Sequence, residues 1–296
     1  LAEHCCYGNT TRDRSTYYCS KTGEVKAMSG RTGRSDSWGN SLTSETILPY
    51  DFKLNDRHPV NVMAAGTFEV SNYADKSLDV SDLSTELNGY HDLGVAMATQ
   101  QPRSTRSPQS KLASTLGRIN YILDEKYIFT ISGRYDGSSK FYPTMKQAYT
   151  FFPSGAFAWR VSEEDFMKNQ NVVSNLKLRL SCGKTGNRGI TSNIWRPLLS
   201  TAHYISAGST QGGLAIDTNG GPANPNLKWE TTDQYNAGLD ISLLNNRINF
   251  TVDYYFKKTN DLLQNVLLPS STGYRSRLVN SGHITNEGLE LTGMFY

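Results

Sequence analysis

The 296 residues carry a net charge of +3, which points to neither nucleic acid nor an anionic membrane surface as partner. Hydrophobic residues make up 37 %, and no run approaches the roughly 18 apolar residues of a membrane-spanning helix. A strand-built membrane protein stays open, because barrel strands carry apolar residues at every second position and keep mean hydropathy low.

In chain order, Leu1–Thr10 lacks the basic start and apolar core of an export signal. Residues 1–35 stay an uncertain stretch, of strand or loop. About nine strands follow from period-two alternation, at 42–54, 59–70, 111–123, 126–137, 151–161, 174–184, 228–244, 247–258 and 286–296. The joints between them alternate in length. Short ones fall at Asn55–His58, Asp124–Lys126, Ser162–Val173 and Asn245–Asn246. Long ones run Ser71–Ser110, Ser138–Thr150, Lys184–Leu227 and Thr259–Thr285. Tight turns at one end and long loops at the other describe a transmembrane β-barrel, with short periplasmic turns and long extracellular loops.

The alternation is clearest at 126–136, where Tyr127, Phe129, Ile131, Gly133 and Tyr135 oppose Thr130, Ser132, Arg134 and Asp136. Leu176, Leu178 and Leu180 likewise interleave with Lys177, Arg179 and Ser181, and Cys182 continues the leucine face. In 247–257 the apolar set is Ile248, Phe250, Val252, Tyr254 and Phe256. Pattern alone does not say which face is covered: a soluble sandwich buries the apolar one, and a large barrel turns it to lipid. Strand length, about ten residues, favours lipid. Seventeen tyrosines and four tryptophans suit aromatic girdles. An odd strand count marks the chain as part of a barrel, since bacterial single-chain barrels have even numbers.

Chemistry has little support. Gly183-Lys184-Thr185 ends like a phosphate-binding loop, but position 178 is Leu where glycine is needed. Cys5, Cys6, Cys19 and Cys182 match no zinc or redox spacing. The five histidines are scattered, and no nucleophile-base-acid set is visible. Asp217-Thr218-Asn219-Gly220 has too few carboxylates for a calcium loop and reads as a turn. Glu163-Glu164-Asp165 reads as a solvated charge run in a short turn. The chain is therefore not read as an enzyme, and no cofactor or metal is expected. In the Gly-, Ser- and Asn-rich stretch Lys184–Leu227, Trp195, His203 and Tyr204 are weak ligand-binding candidates. Aromatics on polar loops stack on sugars, or equally pack the loop on itself.

The chain resembles the SusC/RagA family of TonB-dependent outer-membrane transporters of Bacteroidetes. The likeness is carried by Gly117-Arg118-Ile119-Asn120-Tyr121, by 133–141 (GRYDGSSKF), by Phe152-Pro153-Ser154 and by Ala158-Trp159-Arg160-Val161-Ser162 with Glu164 and Phe166. Leu176-Lys177-Leu178-Arg179, Thr185-Gly186-Asn187, the stretch 224–231 (NPNLKWET), and Asn280, Gly282, Asn286, Gly288 and Glu290 extend it over 36–296. Cys182 departs from it, standing where the family usually has an aromatic residue.

The resemblance implies a barrel of roughly 22 strands closed by an N-terminal plug. Residues 36–296 would be part of that barrel, with the plug absent from these residues. It further implies import of oligosaccharides, or peptides in some branches, delivered by a SusD-like surface lipoprotein. The TonB-ExbB-ExbD complex would drive import through the missing N-terminal region, in a Gram-negative outer membrane with lipid around the barrel. Arg134, Asp136, Lys177 and Arg179 would then face the lumen, and Trp159 and Trp229 would lie in aromatic belts. The competing readings are a passive outer-membrane pore or adhesin on the same barrel, and a soluble carbohydrate-binding β-sandwich.

Overall fold

A computed structural model describes the chain outside residues 22–28, 100–101, 108, 171, 192–193, 197–198, 207–208 and 217–220; the side chains at 99, 145–146, 200–206, 209–212 and 214–216 are also outside it. Sixteen strands are described: β1 (Ala2–Tyr18), β2 (Arg31–Lys53), β3 (Pro59–Leu83), β4 (Ala96–Thr99), β5 (Arg103–Arg106), β6 (Ser110–Leu123), β7 (Tyr127–Ser138) and β8 (Tyr149–Arg160). They continue with β9 (Val173–Asn187), β10 (Leu199–Ser206), β11 (Ser209–Ile216), β12 (Glu230–Leu243), β13 (Ile248–Asn260), β14 (Leu263–Leu267), β15 (Ser276–Asn280) and β16 (His283–Phe295).

The chain divides into two compact units. The larger holds residues 1–4, 45–68 and 112–296, and of the main sheet's strands all but β4 and β5 contribute to it. Its order is β1-β2-β3-β6-β7-β8-β9-β12-β13-β16, an open path with β1 and β16 as edges. The ladders from β6 onward are antiparallel and pair long stretches, such as Leu112–Leu123 with Tyr127–Ser138 and Leu243–Thr231 with Ile248–Asn260. The β8–β9 ladder stops at Ser154–Gly183, next to Pro153, which has no N–H to donate. The smaller unit, residues 5–44 and 69–111, holds the remaining parts of β1, β2 and β3; β4 and β5 pair with β3 there.

The tight joints need unusual backbone. Asp124 and Glu125 both have positive φ (54° and 60°), as a two-residue hairpin demands. Leu244, Asn245 and Asn246 do the same at 50°, 57° and 65°, a conformation asparagine tolerates and leucine does not favour. At the first joint, Asn55 accepts the Arg57 N–H on its side chain at 2.9 Å, and Arg57 clamps Asp124 of the next short turn with both guanidinium arms.

Each of the nine expected strands has its counterpart here. The stretch Ser71–Ser110 is a correction: β3 runs on to Leu83, and β4 and β5 return along it. β1 and the far end of β3 carry many polar residues on both faces, so hydrophobic periodicity is weak there. Two of the other long joints, Lys184–Leu227 and Thr259–Thr285, carry their own hairpins, β10–β11 and β14–β15.

Candidate functional site

The larger unit is a wall with two unlike faces. On β7 and β8 one face carries the cross-strand pairs Tyr127–Trp159, Phe129–Phe157 and Tyr135–Phe151, with Ile131 opposite Gly155. Tyr127 stacks on Trp159 at 6.2 Å near the short turns, and Tyr135 stacks on Tyr149 at 5.5 Å near the long loops. These two aromatic levels are eight residues apart along β7, about 27 Å of strand, and about 20 Å once a barrel-like tilt is allowed. Between them Ile131 is 68 % exposed. On β9, β12 and β13 the same face continues through Leu180, Tyr235 and Tyr254, with Cys182 opposite Tyr235. A shallow groove of about 610 Å³ crosses it, with no charged side chain in its lining. Such a face has the make-up of a surface that meets hydrocarbon, not of a pocket with converging polar groups.

The opposite face is polar and internally paired. On it Arg134 donates from Nε to Asp136 at 2.7 Å and from Nη2 to Ser114 at 3.0 Å. Arg179 grips Asp240 with two hydrogen bonds, 2.8 and 2.9 Å, and also reaches Asp253 at 3.1 Å. Asp253 lies on β13, two strands from Arg179 on β9, and both face Gly238 on the strand between. A methyl group at position 238 would run into Asp253 and Arg179, so the missing side chain opens the path for this bridge. Lys177 stands opposite Asp240 in the β9–β12 ladder. Ser132 with Ser154 and Thr232 with Thr259 extend the polar lining through hydroxyl pairs.

At the short-turn end Glu164 is a hub, and the reading of 163–165 as a solvated charge run is corrected there. Its carboxylate accepts from Tyr127 Oη at 2.6 Å, Lys126 Nζ at 2.9 Å and Trp159 Nε1 at 3.1 Å. Tyr127, then Lys126 and Trp159, pull its pKa down to about 2, and Lys126 is pushed up by the same contact. The polar tips of the Tyr127–Trp159 aromatic pair are thus fixed toward the turn. Asp165, paired to Lys168, is exposed, and Glu163, paired to Arg160, is half-buried. The sequence holds a signal for this hub in the run from Trp159 to Glu164, but the turn conformation that joins them is not legible from spacing.

At the other end, residues of the long joints and of the adjoining strand ends share a core of Phe141, Phe152, Ile190, Leu227 and Trp229. Trp229 is buried, donates to the Ala148 carbonyl at 3.1 Å and packs on Phe141 and Phe152, so its expected place in an aromatic belt is corrected. Asn280 holds Lys228 from both sides, accepting its N–H at 2.9 Å and donating to its carbonyl at 2.8 Å. Asn224 donates to the Leu278 carbonyl at 2.8 Å. The motif 224–231 therefore locks two loops together. Trp195 packs against this core, edge-on to Tyr142 at 5.0 Å with Arg196 over its ring. The side chains of His203 and Tyr204 lie outside the described residues; their backbone is in β10. Among the described residues no cluster of three or more metal-ligating side chains occurs.

A family model described as TonB dependent receptor-like, beta-barrel matches residues 6–296. The chain is 36 % identical over 270 residues to TonB-dependent receptor P26 of Formosa agariphila, covering 91 % of this chain and 26 % of that one. It is 37 % identical over 215 residues to TonB-dependent receptor SusC of Bacteroides thetaiotaomicron, covering 69 % of this chain and 21 % of the relative. The chain thus spans about a quarter of the length of the curated relatives it matches. In fold it is similar to the solved RagAB peptide transporter, with a TM-score of 0.83 over 98 % of this chain and 31 % of that one, at 23 % identity. An open antiparallel wall with one aromatic and one charge-paired face, matched along nearly its whole length, belongs to the TonB-dependent receptor-like β-barrel family as a partial barrel of the SusC/RagA kind.

Proposed function

We propose that this chain is part of the barrel wall of an outer-membrane importer that takes up oligosaccharides or peptides. The observation that carries the reading is the pairing of a continuous aromatic and aliphatic face with a charge-paired polar face on the same strands. Lipid would cover the first, and Arg134, Asp136, Lys177 and Arg179 would line the lumen on the second. A SusD-like surface lipoprotein would deliver the ligand, and TonB-ExbB-ExbD would act through a part of the receptor N-terminal to the barrel. RagAB, which this chain resembles in fold, is a peptide transporter, and that keeps peptides beside glycans as cargo.

The test uses the complete receptor gene in its own host. Deleting it should abolish growth on one class of oligosaccharide or peptide, and a protonophore should stop uptake in the complemented strain. Uptake that persists without the proton-motive force would leave a passive pore.

A further inference from the structure

Within the smaller unit a hollow of about 210 Å³ is lined by Trp38, Asn40, Asn72, Tyr73, Ala74 and Arg106. Alternation and register say which of these share a face. Positions 38 and 40 of β2 fall on one face, as do 72, 74 and 76 of β3. Lys76 stands over the Trp38 ring at 5.3 Å, so the two sets lie on the same face. Arg106 of β5 joins them, directly opposite Ala74. Tyr73 alternates to the other face, where a methyl group at position 39 would meet its ring. That other face also carries Asp75, which accepts from Thr105 Oγ1 at 2.7 Å and from Ser35 Oγ at 3.4 Å.

The hollow exists because Ala74, small and buried, stands where its neighbours are Trp38 and Arg106. Trp38 stays 37 % exposed. Among the described residues the side chains of Asn40, Asn72 and Arg106 have no hydrogen-bond or ion-pair partner. Asp36, on the face of Trp38, pairs with Arg34 at 3.8 Å, and Arg34 also holds Asp13 at 2.8 Å. Arg106 is therefore a cation without a carboxylate, beside an open tryptophan and two free amides.

We propose that this hollow binds one uronic-acid residue of an acidic oligosaccharide. The apolar face of the sugar ring rests on Trp38, the carboxylate meets Arg106, and the hydroxyls meet Asn40 and Asn72. The inference rests on the importer reading above and adds the charge of the glycan to it. A guanidinium presents parallel donors that match the two oxygens of a carboxylate. An amide both donates and accepts, which suits hydroxyls that do the same. The volume, below the roughly 300–1,000 Å³ of drug-sized pockets, suits a single ring and not a chain of them. An acidic peptide fits less well, because the hollow is on a sheet face. There β3 is flanked by β2 and paired to β5 at Ala74, so it offers no free edge for an added strand.

The experiment uses the complete receptor, purified in detergent and titrated by calorimetry. The probes are tetrasaccharides of galacturonate, mannuronate and guluronate, each beside its neutral methyl ester. At least one acid should bind about tenfold or more tightly than its ester. R106Q should erase that preference, and R106K should keep part of it. W38A should weaken acid and ester alike while W38F retains both, which separates a lost platform from a lost fold. No acid preferred over its ester, or a preference that survives R106Q, would overturn the proposal. So would equal competition by tetraglutamate, which would make this a peptide or general anion site. Heat-modifiable migration on gels, scored in the same preparations, tests the barrel reading separately. A receptor that migrates as a folded barrel and supports energy-dependent uptake, yet shows no acid preference, defeats only this inference.

Discussion

Arg179 reaches across two strands because position 238 has no side chain, and that makes Gly238 a structural partner of the Arg179–Asp253 bridge. Gly238→Ala should displace Asp253 or Arg179 and cost about 1–2 kcal/mol, the worth of one charge-assisted hydrogen bond. Asp253→Asn should cost a similar amount, and the double variant should cost less than the two together, because both remove one bridge. Unfolding of the detergent-solubilised receptor would measure this, and full additivity would refute the link. Glu164 makes a second prediction, in pH. Its folded pKa is lowered from 4.5 to about 2, so the stability it contributes is fully present above about 4.5. That stability is lost as pH falls from there through about 2. The native receptor should lose melting temperature in this window, whereas Glu164→Gln should start lower at neutral pH and show a flatter decline. Equal slopes for both would remove Glu164 from the hub.

Along a single strand, the two faces make opposite demands on neighbouring residues. Ile131 lies midway between the aromatic levels of Tyr127 and Tyr135, and Ser132 is bonded to Ser154 on the polar face at 2.6 Å. Ile131→Arg should therefore cost about 2–4 kcal/mol in a lipid bilayer, and Ser132→Arg less than about 1 kcal/mol. Folding titrations into vesicles would show it, and the reverse order would mean that the apolar face is buried in protein. This alternation in 126–136 was legible because apolar and polar residues take strict turns, and the short joints were legible from Asn, Asp and length. β1 and the outer part of β3 were not, since polar residues occupy much of both faces there and the partners of outer β3 come back only after a loop, as Ala96 does to Leu83 and Arg106 to Ala74. The loop core was equally hidden. Trp229 looks like a strand-end aromatic in one dimension, and only the return of the joint at 139–148 covers it. Glu164 sits among other carboxylates, and nothing in the run itself says which one turns toward Tyr127.

At the scale of the molecule, the open strand path decides how these residues behave alone. β1 and β16 each end the sheet without a further partner among the described residues. A strand of about ten residues inside a bilayer then leaves on the order of ten N–H and C=O groups per edge without a bond, and lipid supplies none. At several kcal/mol for each group, the two edges together cost far more than the 5–15 kcal/mol that holds a typical domain folded. Closure by further strands removes both edges at once, which is why a barrel of this family works as one unit and not as a sum of hairpins. The 296 residues expressed alone should therefore fail to insert into vesicles as a heat-modifiable, detergent-resistant species, while the complete receptor should do so. Gel mobility before and after boiling, with the two proteins refolded side by side, makes the comparison. A monomeric, inserted and heat-modifiable form of the segment alone would mean that its edges find each other, and the partial-barrel account of this sheet would have to be given up.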